Sequence, residues 1–407
     1  MTDIPPYAFL VEKFDREEEK VSKKIDNTQE LPIDCDSQEV TQFDIQQIDS
    51  DDQAKNYFET HGISELHDAF MLANILHTNK KTKEAAVIYG LAFRMHPKRH
   101  DHYPLAQSLL QVRLLCMLKA GIKPPEHEIS ILRSLNIPFA NYIEGIAQAW
   151  AGGNGRDALK HIGNAYEEFH TGEEIDSLYL EIVLKSAPDL LSGNSSDVGL
   201  RIPRKIFMYW DHNPPEEIVR NFEFHKNITG FDFKVFDKHE AAEWLYSNYG
   251  VEARSLFLSA RHPAEAADFL RVHVTQIYGG WWLDADIRVR DQDALNFMAT
   301  QTAGNVFLLT HNGVVHNDFY GTIPNSSVAA DCLLSLYRNC YLHHGLFIAY
   351  KTGPGIFNRA LNRKAWRSLS GHPTIDSVAV YDHTVFDKVI DQFDTPYKSI
   401  LPSWHSV

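Results

Sequence analysis

The stretch Arg261-His-Pro-Ala-Glu-Ala-Ala-Asp-Phe-Leu-Arg-Val-His-Val-Thr-Gln-Ile-Tyr-Gly-Gly-Trp-Trp-Leu-Asp-Ala-Asp-Ile287 decides the fold of this chain. It reads as helix, tight turn, strand and an exposed acidic end. Pro263 suits a first helical turn because it has no N–H to lose there, and Gly279-Gly280 accept the left-handed conformation that stops a helix. The apolar run Trp281-Trp-Leu has strand character and ends in Asp284 and Asp286. In an extended backbone, residues two apart project from one side, so both carboxylates would address one point while Ala285 faces away. Two adjacent carboxylates repel, and a hard divalent cation with oxygen ligands, Mn2+ or Mg2+, relieves that repulsion and can also hold a diphosphate. Asp268 and Arg271, three residues apart, share a helix face. Asp-x-Asp by itself is common at solvated turns, and Asp268 with Arg271 by itself is an ordinary ion pair. The ordered composite is far more specific than its parts.

Working outward, Ile202-Pro-Arg-Lys-Ile-Phe-Met-Tyr-Trp210 reads as a buried strand, followed by a helix through about Lys226, a strand at Phe231–Phe236 and a helix from Lys238 to Tyr249. Alternating strands and helices predict an α/β domain with a mostly parallel sheet, whose ligands bind beyond the carboxyl ends of the strands. Asn305–Thr310 reads as a further strand, His311 to Tyr320 as polar cleft, and Ser327 to His343 as helix. Thr352-Gly-Pro precedes another helix, so Thr352 would either cap it or mark an N-terminus whose free N–H groups meet a ligand.

The segments Asp268-Phe-Leu-Arg271, Tyr278-Gly-Gly280 and Leu283-Asp-Ala-Asp286 resemble the sugar-binding DXD region of glycosyltransferases related to the yeast outer-chain-initiating mannosyltransferase and the glucosylating clostridial toxins. The resemblance covers roughly Ile202 to the C-terminus. It implies a nucleotide-binding α/β fold of the GT-A type and a metal-dependent, retaining transfer of a hexose to a glycan, protein or other hydroxyl acceptor, with a UDP-sugar donor favoured over GDP-mannose. It also implies roles for single residues. Trp210 would stack on the base, Asp268 and Arg271 would hold sugar hydroxyls, Asn317 would touch the donor, and Asp284 and Asp286 would bind the metal. Ser403-Trp404 in the tail matches a Ser-Trp that the toxin-like enzymes fold over the diphosphate. Those toxins place an acidic metal ligand three residues before that Ser, where this chain has Ile400, so His405 is expected to join Ser403 as a metal ligand.

Two other readings stand beside this one. Aspartyl-phosphate phosphotransferases also carry Asp-x-Asp after an apolar strand, with the first Asp as nucleophile, but they continue to Thr or Val where this chain has Arg288. The third is a non-enzymatic helical scaffold with a degenerate sugar-nucleotide domain.

The chain has 407 residues, 44% of them hydrophobic, enough for two or more domains with ample core. Residues 1–50 read as an acidic, partly disordered leader, 51–191 as an α-helical domain, 192–201 as a linker and 202–407 as the GT-A-like domain. In the helical part Ala69, Leu72, Ala73, Leu76, Ala85, Tyr89, Ala92 and Pro97 fall where a tetratricopeptide repeat places its packing residues, so this domain reads either as TPR-like or as a plain α-helical domain, and either as a surface for a protein partner or self-association or as a structural appendage. The net charge of −15, to which residues 1–60 contribute sixteen Asp or Glu against six Lys or Arg, speaks against a nucleic-acid partner. No apolar run reaches the roughly 20 residues of a membrane span, and the first residues lack the pattern of a secretion signal. Cys35, Cys116, Cys332 and Cys340 show no metal spacing. A cytoplasmic location is expected.

Overall fold

His262 caps the helix at the centre of the fold, its ring nitrogen accepting the Ala264 N–H, and Pro263 opens it. That helix, Pro263–Tyr278, ends where Gly279 and Gly280 take φ of +60° and +99°. Both glycines are required: a Cβ at 279 would lie 2.6 Å from the Pro324 ring, and one at 280 would lie 2.9 Å from the Lys205 carbonyl. The chain then enters the strand Gly280–Leu283, which is wholly buried. This computed structural model describes residues 39–99, 102–193, 201–373 and 375–399.

The chain divides into two compact units, Met1–Glu168 and Phe169–Val407. The first is all-α among its described residues: α1 Gln42–Ile48, α2 Asp52–His61, α3 Leu66–Thr78, α4 Thr82–Met95, α5 Ala106–Lys119, α6 Glu126–Leu135, α7 Ile137–Trp150 and α8 Gly155–Ile162. Helices α3 and α4 pack as a pair through Ala69, Leu72, Ala73, Leu76, Ala85, Tyr89 and Ala92, all buried. A bidentate pair between Arg113 on α5 and Glu128 on α6, both bonds 2.9 Å, is sealed in this core. Of the leader expected over 1–50, residues 1–38 lie outside the described residues. The remainder forms α1, capped by Thr41 with a reciprocal bond from Asp44, and buried Asp44 pairs with Arg94 at 3.2 Å.

The second unit is α/β. Its strands are β1 Lys205–Tyr209, β2 Asp232–Phe236, β3 Gly280–Leu283, β4 Arg288–Val289, β5 Asn305–Leu308, β6 Phe319–Thr322, β7 Val378–Tyr381 and β8 Ile390–Asp391. Its helices are α9 Glu174–Ser186, α10 Glu216–Lys226, α11 Lys238–Tyr249, α12 Val251–Leu258, α13 Pro263–Tyr278, α14 Gln292–Thr300, α15 Ser327–Leu342, α16 Ile348–Lys351, α17 Pro354–Leu369 and α18 His383–Val389. Six strands form one sheet in the order β2-β1-β3-β6-β5-β7, while β4 and β8 make a separate ribbon. The β1–β2, β1–β3 and β5–β7 pairings are parallel, and β6 runs antiparallel to both of its neighbours. One sheet face packs Ile206, Met208, Trp281, Leu283, Val306, Leu308 and Phe319 into a core closed by Phe386 and Val389 of α18.

Strand β6 is the element the sequence hides. Its register pairs Leu283 with Phe319, and the Asp284 N–H extends the ladder to the Asp318 carbonyl at 2.9 Å. Because β6 is antiparallel, the residues that precede it arrive at the edge where β3 ends. The polar segment read as cleft thus comes to stand beside Asp284.

The expected linker at 192–201 lies for the most part outside the described residues, and the two units divide earlier, between Glu168 and Phe169. Residues 169–191 belong with the α/β unit because α9 carries Asp176 into it, where the buried carboxylate accepts from Arg359 at 2.7 Å and from Asn362 at 3.1 Å. Arg359 is 0% exposed. Deleting α9 would leave that guanidinium buried without its carboxylate, and breaking a buried pair from one side costs about 3–5 kcal/mol. A chain spanning 169–407 is therefore expected to fold with a cooperative melt, and one spanning 199–407 to melt far lower or not cooperatively, as circular dichroism would read.

Candidate active site

The carboxyl ends of β1, β2 and β3 meet the start of β6, and at that edge α13 presents a buried polar stripe of Glu265, Asp268, Arg271 and Thr275. The spacing of three, three and four keeps these side chains on one helix face. Each finds its partner across the site. Glu265 pairs with Lys351 and Arg261, and Thr275 meets the Tyr320 hydroxyl at 3.0 Å.

Arg271 is the hub. Its guanidinium, 2% exposed, donates to both oxygens of Asp284 at 3.0 and 3.2 Å, stands 3.0 Å from Asp268 Oδ1 and donates to the Asn317 carbonyl. Burial works against its charge, but the Asp284 and Asp268 carboxylates outweigh that. Asp268 in turn accepts from the Asn317 amide at 2.8 Å and from the Thr352 hydroxyl at 3.1 Å. Asp268, Arg271, Asp284 and Asn317, singled out in the sequence, are thus brought into one hydrogen-bonded cluster. Gly353, with no side chain to contribute, holds the N-cap position of α17, which frees Thr352 to orient Asp268.

The expected extended Asp284-Ala-Asp286 is corrected here. Strand β3 stops at Leu283, and the Ile287 N–H returns to the Asp284 carbonyl at 3.3 Å to make a turn. Antiparallel β6 supplies the last ladder bond of β3 at Asp284, and pairing resumes only at Arg288 in β4, so among the described residues no strand partner holds 285–287 extended. Burial still alternates: about a quarter of each Asp side chain is exposed, while Ala285 is buried.

Trp282, read only as apolar strand, donates its indole N–H to Asp284 Oδ1 at 2.7 Å. The Arg271 guanidinium lies 5.6 Å from its ring centre. Asp318, not anticipated in the sequence, brings a third carboxylate and accepts from His316 at 2.9 Å. Burial, then the neighbouring carboxylates Asp286 and Asp318, push the Asp284 carboxyl above its ordinary range against the pull of Arg271. For Asp318 burial also pushes upward, but the His316 hydrogen bond and charge, with Arg271, hold it below the ordinary value.

Trp210, half-buried just after β1, donates its indole N–H to the His212 carbonyl at 3.1 Å. Tyr397 stands edge-on to its ring at 5.2 Å, and the Tyr397 hydroxyl reaches Asp286 Oδ2 at 3.4 Å. Trp210 therefore shares the mouth with Asp286. Lys398 sits 2.7 Å from the same Asp286 oxygen. Neither Tyr397 nor Lys398 carried a motif; proximity to the expected tail was the only signal. Ser403, Trp404 and His405 lie outside the described residues.

A hard cation would need oxygen donors, and Asp284, Asp286 and Asp318 offer carboxylates, the last two adding to the burial that raises the Asp284 carboxyl. Among the described residues no group of three or more His, Cys, Asp or Glu side chains is arranged to hold a metal ion. Two carboxylates completed by water and phosphate oxygens is the habit of magnesium-like sites, and this donor set fits it. Asp286 is the more available ligand, since its cationic partner Lys398 is 56% exposed on a flexible stem, whereas Asp284 is gripped by buried Arg271.

No family model matches the chain, nor does any curated protein sequence. Among solved structures it is similar to one titled PaToxG Glycosyltransferase, at 15% identity and a TM-score of 0.32, over 43% of this chain and 80% of that one. So slight a likeness does not bear on activity. Among the described residues no helix is long and apolar enough to cross a membrane.

Burial raises the Asp268 carboxyl from 3.8 to about 6 against the pull of Arg271. A raised carboxyl means the folded chain holds this proton more tightly than the unfolded chain, so its contribution is complete below pH 3.8 and is lost as pH rises through about 6. D268N, which keeps the shape without the charge, is expected to gain Tm relative to wild type as pH rises from 4 to 6 and to lose activity. Paired melts across that range check the sign.

Proposed function

We propose that this chain is a metal-dependent, retaining glycosyltransferase that moves a hexose from a nucleotide-sugar donor to a hydroxyl of a glycan or protein. The observation that carries the reading is buried Arg271, which ties Asp268, Asp284 and Asn317 together at the carboxyl ends of parallel strands, where an α/β sheet binds its ligand. Trp210 offers a flat apolar face for the base, and the resemblance to the toxins favours a UDP-sugar over GDP-mannose. Asp268, Arg271 and Asn317 would orient sugar hydroxyls. Asp284 and Asp286 would hold Mn2+ or Mg2+, whose charge offsets that developing on the departing diphosphate.

Both Asp268 oxygens accept hydrogen bonds, and Asp284 is held by Arg271 and Trp282. Carboxylates so engaged are poor nucleophiles, which favours front-face transfer: the sugar–phosphate bond breaks, the acceptor oxygen bonds the same face of the anomeric carbon, and its proton passes to the diphosphate. Positioning is then the chain's main catalytic contribution. The same engagement weighs against a phosphotransferase in which Asp284 would attack.

A panel of nucleotide sugars, each with and without Mn2+, should raise the melting temperature for one donor by mass action. D286N is expected to abolish transfer with the fold intact, and chelation to silence wild type. Full activity in excess chelator would rule out the metal. W210A is expected to weaken donor binding by roughly 1–3 kcal/mol, the worth of base–aromatic stacking. Normal donor affinity together with a much lower melting temperature would instead make Trp210 a core residue.

A further inference from the structure

With Asp284-Ala-Asp286 in a turn, the direction of Asp286 is set by whatever fixes the backbone around it. Asn221, on α10 and 3% exposed, gives its amide nitrogen to the carbonyls of Ala285 and Ile287, both at 2.9 Å. Because both acceptors are carbonyl oxygens, the NH2 end must face them, and both of its hydrogens are used. One side chain therefore clamps the peptide carbonyls on either side of Asp286. Among the described residues its Oδ1 has no hydrogen-bond partner, and the donor end sets how the carboxamide sits. One helical turn on, His225 Nδ1 lies 2.9 Å from the Asn221 carbonyl, so it is the protonated nitrogen, and Nε2 accepts the Val289 N–H at 3.3 Å. The buried face of α10, Ile218, Asn221 and His225, thereby holds the chain from 285 to 289.

We infer that Asn221 is a positioning residue whose carboxamide fixes the direction in which Asp286 projects and so governs the affinity of the site for a divalent cation. The inference rests on Asp286 being a metal ligand. Asn221 touches neither cation nor substrate, and its effect passes through two peptide units.

N221D is the informative variant, because it keeps the shape and turns acceptor oxygens toward two carbonyls. Mn2+ alone is titrated against the full chain and free ion is read by electron paramagnetic resonance. The half-saturating concentration is expected to rise about 10- to 100-fold, the range for lost outer-shell partners of metal ligands. Hydrogen exchange over 285–289 in metal-free protein is expected to quicken in step. Tight Mn2+ binding by wild type and equally by folded N221D, with unchanged exchange, overturns the inference and leaves the glycosyltransferase reading standing. Wild type that binds no Mn2+ overturns both. Should N221D not fold, N221S keeps one donor and is expected to shift the same way by a smaller factor; no shift there also overturns the inference.

Discussion

A guanidinium taken out of water must be surrounded by acceptors, and that requirement at Arg271 organises this edge of the molecule. Three chain segments far apart in sequence supply the acceptors: Asp268 from the same helix, Asp284 from the end of β3 and the Asn317 carbonyl from the entry to β6. Desolvating one charge is expensive, and the cost is offset only when several partners converge with good geometry. The convergence fixes the relative placement of α13, β3 and β6 more tightly than apolar packing would.

The carboxylates around Arg271 outnumber it. Asp284 and Asp268 are both raised, with burial the leading cause in each, and like charge from Asp286 and Asp318 adds to it at Asp284. Arg271 offsets part of that like charge, and Asp318 is held low by His316. Carboxyls perturbed in this way are common at functional sites.

Much of this was legible in the sequence, for physical reasons that can be named. Helix α13, its glycine stop and β3 follow from Pro263, Gly279, Gly280 and the apolar Trp281-Trp-Leu run, which are local signals. The association of Asp268 with Arg271 follows from helical periodicity. Strand β6 was hidden because Phe319-Tyr-Gly-Thr is short and contains a glycine, so its strand character comes from pairing with β3 rather than from propensity. The turn at Asp284–Ile287 was missed because Asp-x-Asp also fits an extended chain. The place of α9 depends on Asp176 meeting Arg359, 183 residues away, and no local pattern announces such a pair.

The antiparallel entry of β6 decides where this chain can change length. Between β5 and β6 the chain turns at residues 311–313, whereas Leu309 bridges Val315 and the buried Val315 N–H is held by Asn358, so only at that tip would added residues merely lengthen a loop. From Asp318 to Thr322 the register with β3 is fixed, and a slip of one residue turns every side chain to the opposite sheet face. Phe319 would leave its stack on Trp281, and the carbonyl that Arg271 needs would move out of reach. Insertions and deletions in relatives of this chain should therefore gather at residues 311–313 and be absent from 314–322.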